Sequence, residues 1–99
     1  MYPDSNHFPK NQYIFIFLFM EIFVGNLSYR AKENDLQKLL EDYGTVSSVK
    51  IITDRETGRS RGFAFVEIDD EGGQRAISEL NETDFFGRKI FVKVANPRQ

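Results

Sequence analysis

Ninety-nine residues give room for one domain, and a chain this short must bury most of its aliphatic side chains to offset its conformational entropy. There is no cysteine, so a disulfide framework and a thiolate metal site are excluded, and a reducing cytoplasm is the simplest compartment to expect. The near balance of 13 basic against 15 acidic residues excludes a strongly basic, non-specific nucleic-acid binder and leaves the distribution of charge to decide the ligand.

Residues 1–19 stand apart from the rest of the chain. Turn-prone Pro3, Asp4, Ser5, Asn6 and Pro9 lead into residues 13–19, Tyr-Ile-Phe-Ile-Phe-Leu-Phe, a run too short to cross a bilayer as a helix. As a signal peptide it is weak, since its one cation, Lys10, is offset by Asp4 and no small-residue cleavage site comes after it. Residues 1–19 are expected to be an extension outside the native domain, residues 20–97, whose start at Met20 is implied by the family resemblance that the later strands carry. The competing reading is an added edge strand or a sticky arm, with self-association through residues 13–19, because an exposed apolar run pairs readily with other strands. A monomer is otherwise expected, with no membrane association.

The remaining elements come in order. A strand over about 21–25 sends Ile22 and Val24 one way and Phe23 the other, beside Gly25, which is read as leaving room for a flat ligand. After a loop over 26–31, a helix over 32–42 presents Leu36, Leu40 and Tyr43 at helical spacing, and Gly44 ends it. A second strand over 47–53 buries Val49 and Ile51 and turns Lys50 and Ile52 to the opposite face. Residues 54–60 form a turn carrying Arg55 and Arg59. The third strand, 61–68, reads Arg-Gly-Phe-Ala-Phe-Val-Glu-Ile. A second helix near 70–81 buries Ala76, Ile77 and Leu80, and its first turns, holding Gly72 and Gly73, are expected to fray. After a turn or short hairpin at 84–87, a last strand over 88–94 buries Ile90, Val92 and Val94 and shows Phe91 and Lys93. The order βαββαβ is that of an α+β, ferredoxin-like sandwich, with a four-stranded antiparallel sheet and both helices on one face.

The third strand has one face more than it needs. Ala64, Val66 and Ile68 suffice for burial, yet Phe63 and Phe65 give the other face flat rings, led in by the cation Arg61. Taken alone, this octamer fits a strand buried on both sides as well as a platform that stacks unpaired bases. Phe23 on the first strand repeats the logic and favours the platform. The charges divide similarly: Glu33, Asp35, Glu41, Asp42, Asp69, Asp70, Glu71 and Glu79 fall on or beside the helices, while Lys50, Arg55, Arg59, Arg61, Arg88, Lys89, Lys93 and Arg98 fall on strands, in one loop and at the tail. A negative back and a positive front are therefore expected.

Residues 61–68 match, at every position but the last, the pattern Lys/Arg-Gly-Phe/Tyr-Gly/Ala-Phe-Val-x-Phe/Tyr of the RNA recognition motif, and Ile22 to Leu27 resembles that family's hexamer. The departure is Ile68, which by alternation faces the core and so alters packing rather than the front. The likeness runs from Met20 to Pro97 and is nearest to short bacterial proteins built from one such motif. It implies single-stranded RNA as the ligand, with single-stranded DNA as a related one, and a role as an RNA chaperone or post-transcriptional regulator. It implies that Phe23 and Phe63 stack bases, that Phe65 packs against a sugar or between nucleotides, and that Arg61 meets a phosphate. Lys50, Ile52, Lys93, Arg59 and Asn26 complete the candidate RNA-binding set, Asn26 chiefly by fixing its loop through its own backbone bonds. Phe91 either extends the platform or packs beneath the terminal residues or the amino-terminal arm. The rival function is a protein-interaction module docking a peptide or a second copy on the same face.

His7, alone in an irregular stretch, suggests neither a base nor a ligand, and no catalytic dyad, phosphate-cradling loop or zinc spacing is present in the sequence. No enzymatic activity, catalytic residue, cofactor, metal or small-molecule substrate is expected.

Overall fold

A strand with aliphatic residues at every second position commits one face to the interior, and that commitment organises the fold. In the computed structural model, which describes residues 19–95, β1 spans Phe19–Gly25 and buries Ile22 and Val24 completely while Phe23 between them stays half-exposed. The expectations for the amino-terminal extension and its sticky segment lie almost wholly outside the described residues; Phe19, the last residue of that stretch, opens β1.

Helix α1, Glu33–Glu41, starts where the Asp35 carboxylate accepts the backbone N–H of Lys32 at 2.8 Å, which satisfies one of the otherwise orphaned amides of the first turn. Leu36 and Leu40 are buried, and Tyr43 packs against the same core. Gly44 comes after the helix as expected, but not for a left-handed backbone. A Cβ there would lie 2.9 Å from the Cα of Gly72 and against the Asp69 carboxylate, so glycine permits a close approach.

Strands β2, Val46–Thr53, and β3, Ser60–Asp69, pair antiparallel with two irregularities. Val46 faces Ile68 and Ser48 faces Glu67, which makes Ser47 an extra residue in β2. Ile51 faces Ala64 and Thr53 faces Ser60, so the second bulge lies in β3 around Gly62, whose φ is +89°. Helix α2, Asp70–Leu80, contradicts the expectation of a frayed start. Asp69 caps it, one carboxylate oxygen accepting Gly72 N–H at 3.0 Å and the other Thr45 N–H at 2.8 Å. Gly72 and Gly73 are buried, and a Cβ on Gly73 would lie 2.5 Å from the Met20 sulfur.

The last segment is not one strand. Asp84–Phe85 (β4) and Arg88–Lys89 (β5) form a separate hairpin, whose turn residues Phe86 and Gly87 both have positive φ, 54° and 81°, as a tight hairpin turn requires. Ile90 is buried and bonds back to Thr83, its N–H donating to the Thr83 carbonyl at 2.9 Å. Only Phe91–Val94 (β6) joins the main sheet, beside β1. Val92 is buried as expected, but Val94 is 39 % exposed, because it is the last residue of an edge strand and has a neighbouring strand on one flank only.

The sheet order is β2-β3-β1-β6, antiparallel throughout. Leu36 and Leu40 of α1 and Ala76 and Leu80 of α2 share one core with Ile22, Val66 and Ile68, which places both helices on one face. Apart from the small hairpin, this is the ferredoxin-like α+β sandwich. The opposite face is left without a covering layer among the described residues.

Candidate nucleic-acid interface

The register of three adjacent strand pairs sets one row of side chains across the open face. Lys50 of β2 lies opposite Phe65 of β3, Phe65 opposite Phe23 of β1, and Phe23 opposite Lys93 of β6. A cation thus stands at each end of a pair of rings. The next row toward the carboxyl end of β1 holds Phe63, Gly25 and Phe91.

The three rings form one cluster. Phe23 lies 5.7 Å from Phe63, centroid to centroid, with planes tilted by 33°, and 5.7 Å from Phe65. Phe63 and Phe65 meet edge to face at 6.2 Å. All three are half-exposed: they support one another laterally and keep part of their surface in solvent. Gly25 has a different reason from the one expected. A Cβ on it would sit 2.7 Å from Cε2 of Phe23, so the glycine makes room for the protein's own ring to lie along the strand.

Lys93 extends over Phe23, with Nζ 5.5 Å from the ring centroid, a cation–π distance. Lys50 is exposed, and Ile52 is half-buried near the β3 bulge. Arg61, at that bulge, is exposed and lines a recess of about 270 Å³ with Phe23 and Phe63. Arg59 is not part of this group; it borders a separate groove beside the start of α1, with Tyr29, Lys32 and Ile51. Phe91 is 43 % exposed, and of the terminal residues that the alternative reading would lay over it only Ala95 is described.

Asn26 holds its loop, but through distant partners rather than local backbone bonds. Its amide donates to the Lys89 carbonyl at 2.7 Å, and it accepts from Arg88 at both its side-chain and its backbone oxygen. These bonds tie the residue after β1, which has φ +56°, to the β4–β5 hairpin. Arg88 and Tyr29, neither included in the expected set, also line the 270 Å³ recess. In the sequence Tyr29 lies in the loop over 26–31 and Arg88 opens the expected last strand; their meeting depends on tertiary contacts that no local spacing encodes.

The front face is not uniformly positive. Glu21 and Glu67 occupy directly opposed positions on β1 and β3, two residues beyond Phe23 and Phe65 and on the same side of the sheet. Cations and rings therefore occupy one end of the face and a carboxylate pair the other. At the loop end, the backbone N–H groups of Glu56 and Thr57, and to a lesser degree the Arg61 guanidinium, hold the Asp54 carboxyl below its ordinary range. On the back, partial burial and the Glu79 carboxylate push the Tyr43 phenol above its ordinary value.

Among the described residues no three or more His, Asp or Glu side chains are grouped so as to hold a metal ion, and no helix is long and apolar enough to cross a membrane.

Comparison with known proteins gives a consistent result. The family model for the RNA recognition motif matches residues 22–90. RbpD of Nostoc sp. (strain PCC 7120 / SAG 25.82 / UTEX 2576), a candidate RNA-binding protein by name, is 52 % identical over 81 residues, covering 81 % of this chain and 86 % of RbpD. The crystal structure of RNA Binding Protein PG1 is 57 % identical with a TM-score of 0.76, covering 81 % of this chain and 98 % of that one. The structure of the Rna15 RRM with bound RNA (GU) is 28 % identical with a TM-score of 0.69, covering 78 % and 83 %. With the matched span containing Phe23, Phe63 and Phe65, and a close relative covered over most of its length, the chain belongs to the RNA recognition motif family.

Proposed function

We propose that the protein binds single-stranded RNA on the open face of its sheet and acts as an RNA chaperone or post-transcriptional regulator. The observation that carries this reading is the row Lys50, Phe65, Phe23, Lys93, with Phe63 packed beside it. Rings of this kind offer flat surfaces that any base can stack on, and flanking cations meet the phosphates between bases. In this reading Phe23 and Phe63 each take a base and Phe65 supports a sugar between them. Arg61, Lys50 and Lys93 supply charge, and Ile52 and Phe91 widen the apolar floor. Single-stranded DNA shares the stacking and phosphate chemistry and is the expected weaker or equal ligand. The chemistry needs no cofactor. The names of the similar proteins point to the same partner.

Stacking is worth about 1–3 kcal/mol per base, so replacing two rings removes at least about 2 kcal/mol, roughly 30-fold in affinity. Titrating a pool of short single-stranded RNAs against the wild type and a Phe23→Ala, Phe63→Ala double variant tests this. Equal affinity would reject the platform as the site.

Phe91, 43 % exposed on edge strand β6 and in the row with Gly25 and Phe63 on the open face, favours a second reading in which the same face docks a peptide or another copy of the domain. In its self-association form that reading requires mass to rise with concentration and RNA to leave it unchanged, which sedimentation with and without RNA measures.

A further inference from the structure

We infer that the recess between the loop after β1 and the start of β3 is a pocket for one additional nucleotide of the bound strand, with Tyr29 stacking on its base and Arg88 and Arg61 holding its phosphate. This deepens the proposed function and rests on it.

Three observations carry the inference. Tyr29 is 71 % exposed, far more than any ring of the platform, and it stands at the recess beside Gly62. A Cβ on Gly62 would meet the tyrosine ring edge at 3.5 Å, and the bond from Leu27 N–H to the Gly62 carbonyl, 2.8 Å, fixes the loop at that place. An exposed aromatic anchored beside a binding face costs little entropy to use as a stacking surface.

Arg88 is set in position before any ligand arrives. Its Nε and Nη2 donate to the backbone and side-chain oxygens of Asn26, which leaves Nη1 free of those two bonds. Together with Arg61 it gives the recess two guanidinium groups, and among the described residues no carboxylate lines it. That charge balance selects an anion, and planar donors suit a phosphate.

The recess is also continuous with the platform, since Phe23 and Phe63 form part of its wall. At about 270 Å³, against roughly 10–15 Å³ of the same kind of space for one water molecule, it has room for a flat base. A strand laid over the rings would enter it without leaving the surface.

Anisotropy titrations with labelled oligouridylates of two to six residues test the pocket. The panel is the wild type, Tyr29→Ala, Tyr29→Phe, Arg88→Gln and Phe63→Ala. The expected result is that Tyr29→Ala weakens the longer oligomers by about 5- to 100-fold and leaves the dinucleotide unchanged, while Tyr29→Phe restores binding. Arg88→Gln lowers the slope of log affinity against log salt by about 0.7 for the longer oligomers, a readout that a purely structural role would not move. If Tyr29→Ala matches the wild type at every length while Phe63→Ala loses affinity, the pocket is overturned and the platform stands. A loss equal at all lengths also overturns it, because Tyr29 would then act on the platform or the fold. Absence of binding by the wild type at every length overturns both readings.

Discussion

Lys93 stands over Phe23, its ammonium 5.5 Å from the ring centroid, and the two residues are also direct partners across β6 and β1. The contact keeps a flexible lysine on the open face instead of free in solvent, which under the proposed function would lower the entropy it gives up on meeting a phosphate. Lys93→Gln should therefore weaken RNA binding several-fold and reduce the salt slope by about 0.7, with folding stability changed by less than about 1 kcal/mol. Isotherms at several salt concentrations check this; an unchanged slope would remove Lys93 from the phosphate contacts.

Gly72 sets helix propensity against packing. Alanine gains up to about 1 kcal/mol in a helix interior, but a Cβ at this position would lie 2.7 Å from the Tyr43 carbonyl oxygen and 2.8 Å from the Gly44 Cα, both backbone atoms. Overpacking of this kind costs about 1–3 kcal/mol, so packing wins. Gly72→Ala is expected to lower the thermal midpoint by several degrees. A midpoint that rises would mean that α2 is free to lift from α1.

Regular patterning was readable from the chain, and departures from it were not. Alternation at 61–68 and the spacing of Leu36, Leu40 and Tyr43 reflect period alone, so the sheet, both helices and the shared face of Phe23, Phe63 and Phe65 could be anticipated. The Ser47 bulge, the break of the final strand at Ile90 and the close approach of Gly44 to Gly72 depend on partners far along the chain, which no local window contains. The same holds at the interface. Arg88 sits 62 residues from Asn26, and the pairing of Glu21 with Glu67 emerges only once the register is known.

That carboxylate pair would bound the proposed site. Like charges directly opposed across a sheet are unfavourable, and these two flank the rings where a phosphate chain would otherwise continue. Glu67→Gln should stabilise the fold by a few tenths of a kcal/mol and raise RNA affinity a few-fold at low salt, the gain shrinking as ionic strength rises. Unchanged or weaker binding at low salt would show that the strand does not pass near this end.

Acid should loosen the β2–β3 turn before it unfolds the sheet. The Asp54 carboxylate accepts the Glu56 and Thr57 N–H groups, so its pKa in the folded chain lies below the ordinary 3.8 and the unfolded chain binds the proton more readily. Its contribution to the turn is therefore complete above pH 3.8 and disappears as pH falls through the lowered value. Amide shifts of Glu56 and Thr57 followed down to about pH 2 should titrate with a midpoint under 3.8, and Asp54→Asn should abolish that transition. A midpoint at or above 3.8 would contradict the bonds.

The most direct measurement of the platform is the nuclear magnetic resonance response of its rings to a short single-stranded RNA. Stacking should shift the ring protons of Phe23 and Phe63 and the base protons of the RNA upfield together, saturating at a common concentration. Saturable shifts confined to the helices, with the three phenylalanine rings unmoved, would contradict base stacking on the sheet.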